Sequence, residues 1–148
     1  MSGVIFITIT DISETSGSGV ATREIIRGLG TVTDDPLFVL CPEPTAEVPR
    51  RLEECVDKFV FLPSRTNPGS PSWHLCIESS IFLQLWNLLR KENPSLVVTR
   101  LAPSTLLPAP LCRLFGIPHN LLIRGWVNRT DDFDETKFGQ FVERVVQM

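Results

Sequence analysis

The run VIFITIT, Val4 to Thr10, constrains the fold more than any other feature of this chain. It is short, rich in β-branched residues, and does not alternate apolar with polar positions. Asp11 closes it. A run of this kind reads as a strand buried on both faces, which is the condition of a parallel sheet covered by helices. A helical pattern follows at once. Val20, Ile25, Ile26 and Leu29 fall near helical spacing over Gly19 to Leu29, and Gly30 is positioned as a stop.

The same alternation recurs down the chain. PLFVLCP (36–42) is predicted as a second strand, and Thr45 to Val56 as a short helix. KFVFLP (58–63) is a third strand, followed by a Pro, Gly and Ser loop at 64–72. A long helix is predicted from Trp73 to Lys91 and stopped by Asn93-Pro94. SLVVTRL (95–101) is a fourth strand, 104–116 a helix interrupted by Pro108 and Pro110, and 118–126 carries a fifth strand. Five strands alternating with helices predict an α/β, Rossmann-like, doubly wound parallel sheet with helices on both faces and strand order 3-2-1-4-5. This places residues 1–126 in one unit. Residues 127–148 read as an acidic linker and an amphipathic C-terminal helix, with Phe138, Phe141, Val142 and Val145 on one face.

In that topology ligands bind beyond the carboxyl ends of the strands, where the winding reverses between strands 1 and 4. The loops at that point are Asp11 to Gly19 and Arg100 to Ser104. The first contains Ser16, Gly17, Ser18 and Gly19 directly before a helix. Glycines let backbone amides approach an anion, and the helix turns its positive end toward it. Serine and glycine equally suit a surface loop that caps a helix. Arg100 closes strand 4 and Arg124 closes strand 5, on the same side, where a planar guanidinium can pair with phosphate or carboxylate or form a structural ion pair.

Several chemistries are excluded or weakened. The loop has no lysine before its hydroxyl, so it is not a P-loop. Gly17 and Gly19 give G-x-G, but Thr22 stands where a dinucleotide fingerprint has its third glycine, and the glycines start seven residues after the strand ends, whereas the fingerprint follows the strand directly. No G-x-S-x-G occurs. His74, Asp11 and Glu14 are the catalytic candidates: Asp11 and Glu14 lie at the switch point, and His74 opens the long helix. His119 begins strand 5 at the opposite end and reads as structural. The four cysteines (Cys41, Cys55, Cys76, Cys112) form no C-x-x-C and read as buried thiols rather than metal ligands. No metal or cofactor is called for. A net charge of -3 with scattered basic residues argues against nucleic acid. With no signal-peptide pattern and no spanning apolar stretch, a cytoplasmic protein is expected, with peripheral membrane contact left open.

The order of these pieces resembles the amino-terminal domain of GT-B glycosyltransferases, in particular the family-4-like retaining enzymes. TSGSGVATREIIRGLG is similar to that family's Gly-rich loop and first helix. NPSLVVTRLAPSTLLPAPLCRLFGIPHNLLIRGW is similar to its later strand–helix–strand run. PLFVLCPEP and the long helix before Pro94 complete the likeness over about residues 4–126. The resemblance implies an acceptor-binding domain facing a cleft. Gly17, Ser18 and Gly19 would lie near the donor diphosphate, and Arg100 and Arg124 would match the arginines after strands 4 and 5. It also implies a second domain holding most of the nucleotide-sugar contacts, including an E-x7-E element. The sequence to Met148 contains no such second domain. The expectation is therefore a domain inactive by itself, either a truncated copy or one completed by a separate donor-domain chain that binds the nucleotide sugar, with a glycan or lipid as acceptor. The alternative from another class is a small Rossmann-like nucleotide- or anion-binding module, or a receiver-like signalling module.

Overall fold

The computed structural model describes residues 3–63, 70–100 and 105–122. Five strands, β1 (Val4–Ile7), β2 (Leu37–Pro42), β3 (Lys58–Leu62), β4 (Leu96–Arg100) and β5 (His119–Leu122), form one sheet in the order β3-β2-β1-β4-β5. Every neighbouring pair is parallel. The predicted order and class are those observed.

Alternation of side chains across each strand supplies two cores. Ile5 and Ile7 of β1, with Leu40 and Val97, pack against α3 (Pro71–Glu92) and α4 (Pro108–Phe115). The helix α3 contributes Trp73, Ile77, Ile81, Leu85, Leu88 and Leu89, a stripe at helical spacing. Val4 and Phe6 point the other way, with Val39, Cys41 and Val98. Their cover is α1 (Gly17–Val32), through Ile26, and the single turn α2 (Arg50–Glu53), through Leu52. β1 is buried at all four positions, as its unbroken apolar run requires.

Helix ends differ from expectation for physical reasons. Gly30 does not stop α1, which continues to Val32. A Cβ at Gly30 would lie 3.0 Å from the Cys55 Cβ, so the glycine serves the close approach of α1 to the α2 turn. The helix expected over Thr45 to Val56 is reduced to α2, beginning after Pro49. Pro108 does not interrupt α4; it begins it, in the first turn where no amide donor is needed. Ser70 caps α3 by accepting from the Trp73 N–H, and Asn93 ends it in the left-handed region at φ 43°. Cys41 and Cys112 are buried, and burial pushes both thiols up to about 12. Cys55 and Cys76 are half-buried, and all four are free. The segment 127–148 and the stretch 123–126 lie outside the described residues.

Candidate functional site

The crevice is built where β1 and β4 lie side by side with their chains continuing to opposite flanks of the sheet. Beyond β1 the backbone runs through Thr8 to Ser16 and enters α1. The Glu14 N–H donates to the Asp11 carbonyl, closing a turn. Ser16 is the N-cap of α1, its Oγ accepting from the Gly19 N–H at 3.3 Å. Gly19 is buried, and a Cβ there would stand 2.3 Å from the Glu14 carbonyl oxygen. Glycine is therefore required because the helix start presses onto the backbone of the turn. Gly17 has open space around it.

Arg100 connects the two sides of the crevice. Its Nη1 reaches from the end of β4 to the Ser18 carbonyl at 3.2 Å and to the Thr10 Oγ1 at 3.5 Å, and also bonds the Thr22 Oγ1. Thr22 is fully buried and its hydroxyl donates back to the Ser18 carbonyl. A cationic side chain is thus held against the first turn of α1. Arg23 performs a similar task on the other side of the turn, donating to the Ile12 and Glu14 carbonyls at 2.9 and 2.6 Å. The Gly/Ser turn is a braced structure, with Ser16, Gly17 and Ser18 at its exposed rim.

Asp11 is committed to structure. Its Oδ1 accepts from the Ser13 N–H (2.9 Å) and Oγ (2.6 Å), and its Oδ2 from the Thr45 N–H (3.1 Å) and Oγ1 (2.6 Å). Partial burial works to raise its pKa, but the hydrogen bonds from Ser13 and Thr45 outweigh it and leave the carboxyl below its ordinary value. The carboxylate ties the loop after β1 to the loop after β2. Glu14 is exposed and accepts from the Ser16 Oγ at 3.0 Å. His74 lies in the first turn of α3, which follows β3, the edge strand two places from β1. Its ring meets Trp73 edge-on, and burial lowers its pKa. The structure therefore brings Ser16, Gly17, Ser18, Gly19 and Arg100 together, with Asp11 and Glu14 in the same turn, and sets His74 on another crossover. Arg124 lies outside the described residues. His119 faces Thr99, its Nε2 2.8 Å from the Thr99 Oγ1, and burial lowers its pKa too.

Sequence reasoning missed Glu78. From the second turn of α3 its Oε1 accepts from the Leu106 and Leu107 N–H groups at 3.1 and 2.7 Å. The helix α4 has no side-chain cap of its own at Leu107, so Glu78 satisfies these amides from across the interface. Burial raises its pKa to about 7 despite those two bonds. Thr105 donates to the Arg100 carbonyl at 3.2 Å, so both ends of the β4–α4 connection are pinned. The available signal was that Glu78 is the only charged residue between Trp73 and Leu89.

No family model matches the chain, and no curated protein matches it. Solved structures do. The C-terminal domain of a hydrogenase from Pyrococcus furiosus superposes with a TM-score of 0.64 at 16% identity, over 82% of this chain and 91% of that one. A UDP-N-acetylglucosamine 2-epimerase gives 0.61 at 14% identity, over 97% of this chain and 40% of that one. A UGT transferase from Siraitia grosvenorii, solved with UDP, gives 0.56 at 14% identity, over 83% of this chain and 28% of that one. This chain spans well under half the length of the last two. At these identities the likeness is one of fold: a Rossmann-like α/β unit of the kind found in glycosyltransferase and epimerase structures.

Proposed function

We propose that this chain is the acceptor-side half of a GT-B glycosyltransferase of the family-4-like retaining kind, and that sugar transfer needs a donor-binding half supplied by other sequence, in the same polypeptide or in a separate chain. The observation that carries this reading is the Arg100 bridge: a guanidinium from β4 held against the Gly/Ser first turn of α1 at the switch point. The likeness to less than half of each of two larger sugar-nucleotide proteins supports it. The positive end of α1, with Ser16, Gly17, Ser18 and Gly19, forms one wall of the cleft and meets the diphosphate of a nucleotide sugar carried on the opposite half. The Arg100 charge adds to that field from below. Asp11 holds the wall in place, and Glu14 and His74 are left as candidates for contact with an acceptor, a glycan or a lipid-linked sugar.

A second reading is a small anion-binding module complete in itself. The similarity to the Pyrococcus furiosus domain, nearly all of whose solved chain is matched, favours it. Two measurements separate the readings. Tagged native protein is purified from its host, and what accompanies it is identified by mass spectrometry; UDP- and GDP-sugars are then titrated by calorimetry into the protein alone and into any complex. A second Rossmann-like half bearing E-x7-E, with nucleotide-sugar binding only in the complete assembly, supports the first reading. A lone protein of this length that binds simple phosphate and no nucleotide sugar overturns it in favour of the second.

A further inference from the structure

The helices α3 and α4 cover one face of the sheet, and their outer surface is unlike that of an ordinary solvated pair. The buried stripe of α3, through Ile77, Ile81, Leu85 and Leu88, turns inward. Opposite it, Leu75, Ser79, Leu83, Asn87 and Arg90 form an exposed line about 22 Å long. Leu75 is 70% exposed and Leu83 61%. No charge interrupts this line before Arg90. Glu78, the charged residue within the span, is turned to the Leu106 and Leu107 amides. The helix α1 is the contrast, since its exposed side carries the Glu24–Arg27 ion pair at 3.0 Å.

The helix α4 widens the surface. Trp86 meets Phe115 edge-on with ring centroids 5.2 Å apart, and Phe82 stacks on Trp86 at 6.0 Å. These rings are only partly buried. Leu114, next to Phe115, is 70% exposed. A single leucine left in water is ordinary, but three on one face with aromatic rings between them make a patch. Both helices run from the carboxyl toward the amino ends of the parallel strands they connect, so their last turns lie at one end of the sheet. There Arg90, Lys91 and Arg113 stand exposed. Glu92 offsets one of these charges, and it and Glu78 are the acids among the described residues after Lys58. Cations in a last turn complement the helix dipole. That accounts for each base where it stands, and leaves the apolar plane beside them without a role.

We propose that the outer face of α3 and α4 docks on an anionic lipid bilayer, with Leu75, Leu83 and Leu114 entering the headgroup layer and Arg90, Lys91 and Arg113 meeting lipid phosphates. Charge selects this occupant. A second copy presenting the same face offers the three bases no exposed acid besides Glu92. An anionic bilayer offers a plane of negative charge above an apolar layer, and so matches both halves of the surface. Arginine and lysine stems lie along apolar surface while their heads reach outward to charge. Among the described residues no helix is long and apolar enough to cross a bilayer, so the contact runs along its surface. The docking does not rest on the sugar-transfer reading, and its test contains no nucleotide or sugar.

Sedimentation of the full chain with vesicles tests it. Vesicles of phosphatidylcholine alone are compared with an equimolar mixture of phosphatidylcholine and phosphatidylglycerol. Partition onto the anionic vesicles should be at least about tenfold stronger, and should weaken several-fold between about 0.1 M and about 0.5 M salt. Leu83→Asp should lower it about tenfold and Arg113→Gln about fivefold. Val32→Asp, on an 81% exposed side chain of α1 over the opposite face, should leave it unchanged. Each variant alters an exposed side chain, and circular dichroism checks that the fold persists. Equal partition onto both vesicle types, or none, overturns the proposal. So does binding that survives either Leu83→Asp or Arg113→Gln, or that is lost in Val32→Asp. If the protein is a dimer by light scattering without lipid, Leu83→Asp makes it a monomer, and no vesicle binds it, the occupant is a second copy and the proposal fails.

Discussion

Gly19→Ala should unfold this protein more easily, although alanine is the better helix former. The added Cβ would stand 2.3 Å from the Glu14 carbonyl oxygen and 2.9 Å from its carbon. An ordinary carbon–oxygen contact needs roughly 3.3 Å, so about 1 Å of separation must open. The carbonyl cannot simply retreat. It accepts from the Arg23 Nη1 at 2.6 Å, and the Glu14 N–H is bound to the Asp11 carbonyl at 3.1 Å. Overpacking a buried site of this kind costs about 3 kcal/mol, and the gain in helix propensity returns at most about 1 kcal/mol. The net loss is about 2 kcal/mol, which lowers a urea midpoint by roughly 1 M at an ordinary slope for a domain of this size. Gly28→Ala is the internal control. It lies in the same helix with nothing within 4 Å of its Cβ, and should stabilise by about 0.5–1 kcal/mol. Urea titrations followed by circular dichroism, with equal slopes, measure both. A Gly19→Ala protein as stable as the parent, or stabilised alongside Gly28→Ala, would refute the close approach.

Three further outcomes follow from the same contacts. Asp11→Asn should cost about 2 kcal/mol at neutral pH, because an amide cannot accept all four donors that the carboxylate satisfies. Asp11's folded pKa lies below its ordinary 3.8, so its contribution is present above that value and lost as pH falls through the folded pKa; the mutant should therefore lose less stability than the parent as pH falls below that value in a pH series. Glu78 works in the opposite sense: its pKa is raised from 4.5 to about 7, so stability is full below 4.5 and declines as pH rises through 7. The decline amounts to about 2 kcal/mol once solvent screening is allowed for, and Glu78→Gln should flatten the curve across that window; an unchanged slope in thermal melts would contradict the assignment. Arg100→Ala removes three ties across the crevice and should lower stability by about 1–2 kcal/mol, with faster amide exchange concentrated in Ser18 to Arg23; exchange spread evenly over the sheet would speak against a local bridge.

The class of fold and the strand order were legible because each depends on short-range pattern. An apolar run such as Val4–Ile7 suits a strand buried on both faces, and the spacing of Trp73, Ile77, Ile81 and Leu85 places one buried stripe on a helix. Proline and glycine were read less well, since their roles depend on neighbours distant in sequence. Gly30 looked like a stop and is a contact point for Cys55. Pro108 looked like a break and is a beginning. The candidate site divided in the same way. Ser16 to Gly19 and Arg100 could be placed at one crevice from topology alone, but their hydrogen-bonded bracing could not.

By itself, then, the sequence determined the alternation of elements, the all-parallel sheet and the position of its switch point, because local stereochemistry and hydrophobic period carry that information over a few residues. Only the tertiary structure decided which polar groups are committed. Asp11 is joined to Thr45 across 34 positions, Arg100 to Thr22 across 78, and Glu78 to Leu107 across 29. Such pairings are set by how layers pack, and a side chain's availability for chemistry is known only after its partners are.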